Sequence, residues 1–523
     1  MKTEAAHWAD ITALKIIREK GDKPLYVCAA GITPSGTVHI GNFREMISVD
    51  LVVRALRDMG KKVRFIFSWD DYDVFRKIPA NMPQKDMLKD HLRKPITIVP
   101  DPHGSTESYA RYNEYEIEKT LPQVGIQPEF IYQAQQYAQG RYAQLMRQAL
   151  MKKDTIKTIL NEHRTKPLAD DWWPISIFCT SCQKDTTTIS HWNQEYEVSY
   201  TCNSCGHNET LDLKYAHTVK LFWRIDFPMR WLYEKVDFEP GGKEHHSAGG
   251  SFDTASRIVK QVYNYEPPVS FKYDFIRIKG KGGKISSSSG EVIGLDDVLE
   301  IYQPEVVRYM FAGTRPNTEF AVSFDLDVLK IYEDYDRCER IYFCREEVSE
   351  KKKQKQKRIY ELSQVKEVPS ALPVQVPFRH LCNLLQIYEG DVQAALETLK
   401  AEDDKRLQTR ARCAWNWITV YAPPEFRFYL RKAEDTLIST TKQERSAVSA
   451  LYHELDTHFS THDERSLAEF IYGLAHDCKL EPKNLFKVLY RILINQEMGP
   501  RLAGFILTIG KQKIMTLLKP YVA

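Results

Sequence analysis

The chain has 523 residues, with 73 Lys and Arg against 70 Asp and Glu (net charge +3), 43% hydrophobic residues and 11% aromatics. That length exceeds what one core supports, so two to four domains are expected, and the composition excludes an intrinsically disordered chain. No run of about 18 or more apolar residues occurs, which argues against a transmembrane helix, and the mild charge permits an RNA partner without demonstrating one.

The N-terminal stretch "MKTEAAHWADITALKIIREKG" has amphipathic helical spacing with acidic residues, unlike a secretory signal, so a cytoplasmic protein is expected. "PLYVCAA" (24–30) reads as a short strand, "HIGNFREMISVDLVVRALRDMG" (39–60) as a helix with a glycine stop, and "KVRFIFSW" (62–69) as a second strand. "EFIYQAQQY" and "SFKYDFIRI" (270–278) read as later strands of the same sheet. This rhythm predicts a parallel α/β sheet with its ligand beyond the strand C-termini.

Between the first strand and helix lies "GITPSGTVHIGN" (31–42). A strand, a Pro-Ser-Gly turn and a helix N-terminus form an anion site, where backbone N–H groups and the helix dipole favour negative charge. His39 and Asn42, three residues apart, are expected on one helix face beside it, and Gly36 and Gly41 leave room for a nucleotide. "SWDDYD" sets Asp70, Asp71 and Asp73 at the end of the second strand, with helix capping or surface solvation accounting for some of them.

A helical run at about 136–165 precedes a strand-rich segment at about 172–215 that interrupts the rhythm. It carries "CTSC" (179–182) and "CNSC" (202–205), two C-x2-C pairs with 19 residues between them. Cys179, Cys182, Cys202 and Cys205 have the spacing of a zinc ribbon, and four thiolates leave no open position, so a structural Zn²⁺ is expected. Gly206 suits a tight knuckle, and His191 and His207 are alternative ligands. The other six cysteines are scattered and read as ordinary thiols.

"KGKGGKISSSSGEVI" (279–293) has the composition of a flexible linker. Beyond about 325 the pattern is almost wholly helical, interrupted at 349–377 by the basic run "KKKQKQKR" (351–358) and several prolines. Trp415 and Trp417, at helical spacing, are expected in a core rather than on RNA bases.

"PSGTVHIGN" resembles the His-Ile-Gly-His signature of class I aminoacyl-tRNA synthetases, with Asn42 in the last place. "KISSS" (284–288) resembles their Lys-Met-Ser-Lys-Ser signature, with Ile285 for Met and Ser287 for the second lysine. Within that class the chain is similar to the class I lysyl-tRNA synthetases through "GITPSGTVHIGNFRE", "FSWDDYDVFRKIP", "WRIDFPMRW", "GKEHHSAGGSFDT", "KISSSSG" and "GPRLAGFILTIG", stretches that span it end to end.

The resemblance implies a Rossmann-type parallel-sheet catalytic domain (1–320) with a zinc-bearing insertion (150–220). A helical stem (321–375) and an all-α anticodon-binding domain (376–523) would follow. It implies catalysis by His39, Asn42 and Lys284, with Mg²⁺ on the triphosphate. ATP would be held by Pro34, Ser35, Gly36, His39, Gly41, Asn42, Lys284, Ile285, Ser286, Ser287 and Ser288. Lysine would be held by Gly31, Thr33, Asp70, Trp223 and His245. The glycine-serine loop then becomes a phosphate clamp, in which Lys279, Lys281 or Lys284 covers the charge absent at Ser287. Archaeal members are expected to carry a further zinc site; at the matching "DPHGSTESYARY" (101–112), Asp101 and His103 alone do not make one, and no metal is expected.

The implied reaction joins L-lysine to tRNA(Lys) through a lysyl-adenylate, with no membrane or DNA partner. Three alternatives remain: a class I synthetase of another specificity such as glutamate, a small nucleotidylyltransferase, and a non-catalytic tRNA-binding relative. The acidic "SWDDYD" cluster speaks against an anionic amino acid, and a nucleotidylyltransferase needs neither the cysteine module nor the helical C-terminal part.

Overall fold

A computed structural model of the chain describes residues 7–80, 82–279 and 292–522. The apolar runs near the N-terminus become Tyr26–Ile32 (β1), Val63–Trp69 (β2) and Glu129–Tyr132 (β3), which pair in parallel in the order β1-β2-β3. Small residues at Cys28, Ala29 and Ala30 let the Ile40–Asp58 helix pack on β1, and that helix is buried along most of its length. Gly31 shows how tight this region is: a Cβ there would stand 2.8 Å from the Ser68 carbonyl oxygen on β2.

On the other side of β1, Cys28 bridges Phe238 and Phe238 bridges Val269, both in parallel. The segments at 238–242 and 269–273 therefore extend the sheet, and winding reverses direction beside β1. In such sheets the crevice beyond the carboxyl ends at the reversal is where ligands bind.

Two expected strands are shorter than their sequence patterns. In 129–137, only Glu129–Tyr132 is strand and Gln133–Ala138 is helix. The stretch 270–278 divides: Lys272–Tyr273 pairs with Gly241–Gly242, and Ile276–Ile278 pairs with Phe320–Val322 in a separate ladder. Buried Arg44 fixes the break by donating to the carbonyls of Phe275, Arg315, Pro316 and Thr318.

The interruption at 172–215 is antiparallel. Thr187–Trp192, Glu197–Cys202 and Asn208–Asp212 form a three-stranded sheet, while Ile175–Ile177 pairs with Val219–Leu221. Its buried residues, among them Val198, Tyr200 and Leu213, share one core with Ile66 and Met229 of the α/β part.

The chain forms two compact units. The first holds the sheet and the insertion, together with residues 304–322 and 338–370; the second comprises 299–303, 323–337 and 371–523. The segment 321–375, expected as a stem, is thus divided between them. The basic run at 351–358 lies on the Glu350–Ser363 helix, where Arg358 pairs with Asp10, Asp58 and Glu361 while Lys351 and Lys352 are exposed. The second unit is helical, with a core drawn from helices such as Lys442–His458, Pro482–Ile494 and Leu502–Ile509. Trp417 is fully buried there and donates to the Phe324 carbonyl, while Trp415 packs over Gly390. Among the described residues no helix is long and apolar enough to cross a membrane.

Candidate active site

A cavity of about 370 Å³ opens beyond the carboxyl end of β1. Gly31, Thr33, His39, Gly41, Asn42, Asp70, Trp223 and His245, all expected at the site, line it. Pro34, Ser35 and Gly36 form the turn that leaves β1 and are not in its wall. Lys284, Ile285, Ser286, Ser287 and Ser288 lie outside the described residues.

The residues expected beside the nucleotide are arranged by a helix cap. His39 is the N-cap of the Ile40–Asp58 helix: its Nδ1 accepts from Asn42 N–H at 3.3 Å, and Asn42 Oδ1 accepts from His39 N–H at 3.2 Å. A His accepting at Nδ1 carries its proton on Nε2, so the ring presents a donor. Gly41 gives the imidazole its place, since a Cβ there would stand 2.8 Å from His39 Nδ1.

The wall expected to face the amino acid is acidic. Glu45, Asp70, Glu244 and Asp274 line the cavity, and among the described residues no Lys or Arg does. Asp70 accepts from Trp223 Nε1 at 3.1 Å and from Arg230 at 2.6 Å, and Arg230 in turn reaches Asp226 at 3.1 Å. The Trp223 indole stacks on Phe227 with ring centres 5.4 Å apart. His245 Nδ1 lies 2.5 Å from Ser251 Oγ, which fixes its ring toward the site. The other two aspartates of "SWDDYD" serve the fold: Asp71 accepts from Ala134 N–H at the start of the Gln133–Ala138 helix, and Asp73 pairs with Arg76.

Glu45 accepts from Gly31 N–H at 2.9 Å and from the Tyr273 hydroxyl. Burial pushes its carboxyl up to about 7, against the pull of those two hydrogen bonds. Buried Glu239 is pushed up to about 8, by burial and then by Glu45. Asp70 is paired with Arg230 and Asp274 with Lys243 at 2.5 Å, whereas Glu45 accepts only from neutral donors, so the wall keeps a carboxyl that a cationic ligand can partner.

The family profile described as "tRNA synthetases class I (K)" matches residues 6–366. The chain belongs to this family. The synthetase is 54% identical to a "Lysine--tRNA ligase" of Borreliella burgdorferi, with all of both chains covered. It is 51% identical to the protein of that name in Treponema pallidum, over 99% of each chain. For its namesake in Thermococcus kodakarensis the identity is 41%, over 98% of this chain and 99% of the other. A class I synthetase activates its amino acid with ATP, so the family implies ATP and Mg²⁺.

Sequence reading of this synthetase missed Glu45, Glu244, Tyr273 and Asp274. Glu45 had a local signal, standing one helical turn beyond Asn42 in "HIGNFRE". Tyr273 and Asp274 had none, because the 270–278 pattern gives no sign of the break that turns them to the cavity.

In the insertion, the sulfurs of Cys179, Cys182, Cys202 and Cys205 all lie within 4.8 Å of one another. Cys179 and Cys205 are 3.7 Å apart, Cys182 and Cys202 3.5 Å. Four thiolates around a tetrahedral ion at about 2.3 Å stand roughly 3.8 Å apart, so the donor set fits zinc. Each C-x2-C turn closes on a residue in the left-handed region, Gln183 (φ 65°) and Gly206 (φ 73°), and their N–H groups donate back to Cys179 and Cys202. His207 turns to Thr180 and Glu209, and His191 is exposed on its strand; neither is in the cluster. At 101–106, Asp101 accepts from His103, Ser105 and Thr106 and closes the loop as a carboxylate turn.

Proposed function

We propose that the chain is a lysine--tRNA ligase, forming lysyl-adenylate from L-lysine and ATP and transferring the lysyl group to the terminal adenosine of tRNA(Lys). The observation that carries this reading is the cavity wall: four carboxylates and a tryptophan face, beside a capped helix start suited to phosphate. Lysine has two ammonium groups, and desolvating them requires such partners. Full-length relatives named for the same activity support it.

A lysine carboxylate is already a nucleophile at neutral pH, so the first step requires position and charge stabilisation rather than a general base. The carboxylate attacks the α-phosphorus of ATP, a P–O bond forms, and pyrophosphate leaves with the electron pair of the broken one. His39, with Nε2–H as donor, and Asn42 stabilise the five-coordinate phosphorus; Lys284 is assigned to the departing pyrophosphate. Mg²⁺ supplies charge neutralisation on the triphosphate. The 2′-hydroxyl of the terminal adenosine then attacks the lysyl carbonyl, its proton passes to a phosphate oxygen of the adenylate, and the acyl C–O bond breaks with its electron pair leaving on AMP. Glu45 and Asp70 orient the amino acid through its ammonium groups, with Trp223 and His245 closing the pocket around it. The cysteine cluster is read as a structural Zn²⁺ site that crosslinks the two knuckles, remote from the chemistry.

The test is exchange of labelled pyrophosphate into ATP, with each of the twenty amino acids, with and without tRNA(Lys). The expected result is exchange with lysine alone. Exchange with another amino acid would reassign the specificity, and silence under both conditions with tRNA binding intact would make the chain a binding relative.

A further inference from the structure

The Tyr109–Glu118 helix has no place in the mechanism above, yet it grips the turn that leaves β1. Tyr109 Oη donates to the Ser35 carbonyl at 2.8 Å. Asn113, one turn on and so on the same face, donates from Nδ2 to the Tyr109 carbonyl at 2.9 Å and reaches the Pro34 carbonyl at 3.5 Å. Both side chains are buried, at 0% and 1% exposure. Burial also raises the Tyr109 phenol above its usual range, so it stays a neutral donor.

What this grip does follows from peptide geometry. In a trans peptide the C=O and the next N–H point in opposite directions, and no cis bond occurs among the described residues. A Ser35 carbonyl drawn onto Tyr109 therefore turns the Gly36 N–H away from the helix. Among the described residues, the backbone N–H groups of Gly36, Thr37 and Val38 donate no hydrogen bond. Gly36 and Val38 are buried, and buried N–H groups without partners are rare in folded proteins unless something else supplies the acceptor. Three successive free N–H groups just ahead of a helix start form a cradle for anionic oxygens.

The seat of Tyr109 is itself well fixed. Its N–H donates to the Val99 carbonyl at 2.8 Å, and its ring meets Phe75 edge-on with centres 5.1 Å apart. Just upstream, the Asp101 carboxylate gathers the N–H groups of His103, Ser105 and Thr106 and the hydroxyls of Ser105 and Thr106, and Ser108 caps the helix. This loop has the hydrogen bonding of a rigid mount rather than of a connector.

Resting on the reading of this turn as the ATP phosphate site, we propose that Tyr109 and Asn113 are positioning residues for the triphosphate. Tyr109 holds the Ser35 carbonyl on the helix side so that the Gly36 N–H, the first of the three, faces the phosphates, and Asn113 steadies Tyr109 and the Pro34 carbonyl before it. Neither residue touches the reacting atoms; both act through the backbone of the turn.

The experiment uses the full chain with tRNA(Lys) present and compares Tyr109→Phe, Asn113→Ala and His39→Ala in pyrophosphate exchange. Tyr109→Phe keeps the ring against Phe75 and removes only the donor. Its KM for ATP is expected to rise about five- to tenfold, the worth of one hydrogen bond, while KM for lysine is unchanged. Inhibition by adenosine, which has no phosphates, is expected to be unchanged as well, a split that a packing defect does not produce. Asn113→Ala is expected to move in the same direction. Unchanged ATP KM in both variants, a parallel rise for lysine and adenosine, or failure of both to fold would overturn the proposal and leave the pair as supports of the fold. Wild-type exchange surviving in His39→Ala would sink the site reading itself, a different failure from that of the strut.

Discussion

Glu45 is the side chain through which the site is expected to sense pH. Its carboxyl is raised to about 7 by burial, with Tyr273, Asp70, Glu244 and Glu239 facing it. A raised carboxyl is neutral below its folded value and charged above it, so it offers an ammonium group a full partner only above about pH 7. The KM for lysine is therefore expected to rise as pH falls through 7. Glu45→Gln should raise it about 10- to 100-fold and flatten the profile, the loss of one charged hydrogen bond. The same residue costs the empty protein stability. Between the usual carboxylate range and pH 7 the folded state holds a proton that the unfolded state releases, so stability falls as pH rises through that window. Glu45→Gln should accordingly melt above wild type at pH 8; a lower melting point with an unchanged lysine KM would refute both halves. His39 and Asn42 were legible in the sequence because a capping box is local. For Glu45 the sequence offered only its place one turn beyond Asn42, since the neighbour that completes its role is Tyr273, 228 residues away.

Among the elements, the cysteine knuckles were read most completely from sequence. Two C-x2-C turns carry their geometry in their spacing, and the structure closes them on left-handed Gln183 and Gly206 with all four sulfurs gathered. The parallel sheet was legible for a related reason, because β1 is a short apolar run and β2 is rich in β-branched and aromatic residues. Its far edge was not: Lys272–Tyr273 and Ile276–Ile278 belong to different ladders, and the separation is imposed by Arg44 from a distant helix. A zinc ion at the knuckles predicts one metal per chain by elemental analysis and none in a Cys202→Ser, Cys205→Ser variant. Structural zinc sites contribute folding energy outright, and this module shares its core with the sheet, so the variant should melt several degrees lower. Among the described residues no cysteine lines the cavity, so pyrophosphate exchange at low temperature should persist in it. Full metal content in the variant, or loss of exchange with melting unchanged, would contradict a structural zinc.

For the whole molecule, the order of residues along the chain does not match the order of its compact units. The helical unit begins before 371: residues 323–337 belong to it, whereas 338–370 belong to the unit with the sheet. Within the helical unit the Tyr332 ring stacks on Phe378 with centres 3.9 Å apart, Trp417 donates to the Phe324 carbonyl, and Arg410 holds Asp336 at 2.5 and 3.0 Å. Tyr332 and Arg410 are almost fully buried, as is Asp336. Sequence patterning predicts a change to helix near 325 but not this interleaving, because helical periodicity says which face is apolar and not which partner covers it. A cut after Ser370, the natural choice for isolating the sheet-bearing part, would strip Phe378, Arg410 and Trp417 from segments it leaves behind. Removing one partner of a buried ion pair costs about 3–5 kcal/mol, and the uncovered Phe324 and Tyr332 would add an apolar patch. Chain 1–370 is therefore expected to bind a hydrophobic dye and to aggregate on gel filtration, although every described residue of the cavity is present in it. A monomeric 1–370 that binds no dye and melts as the full chain does would show that these contacts do not hold 323–337 in place.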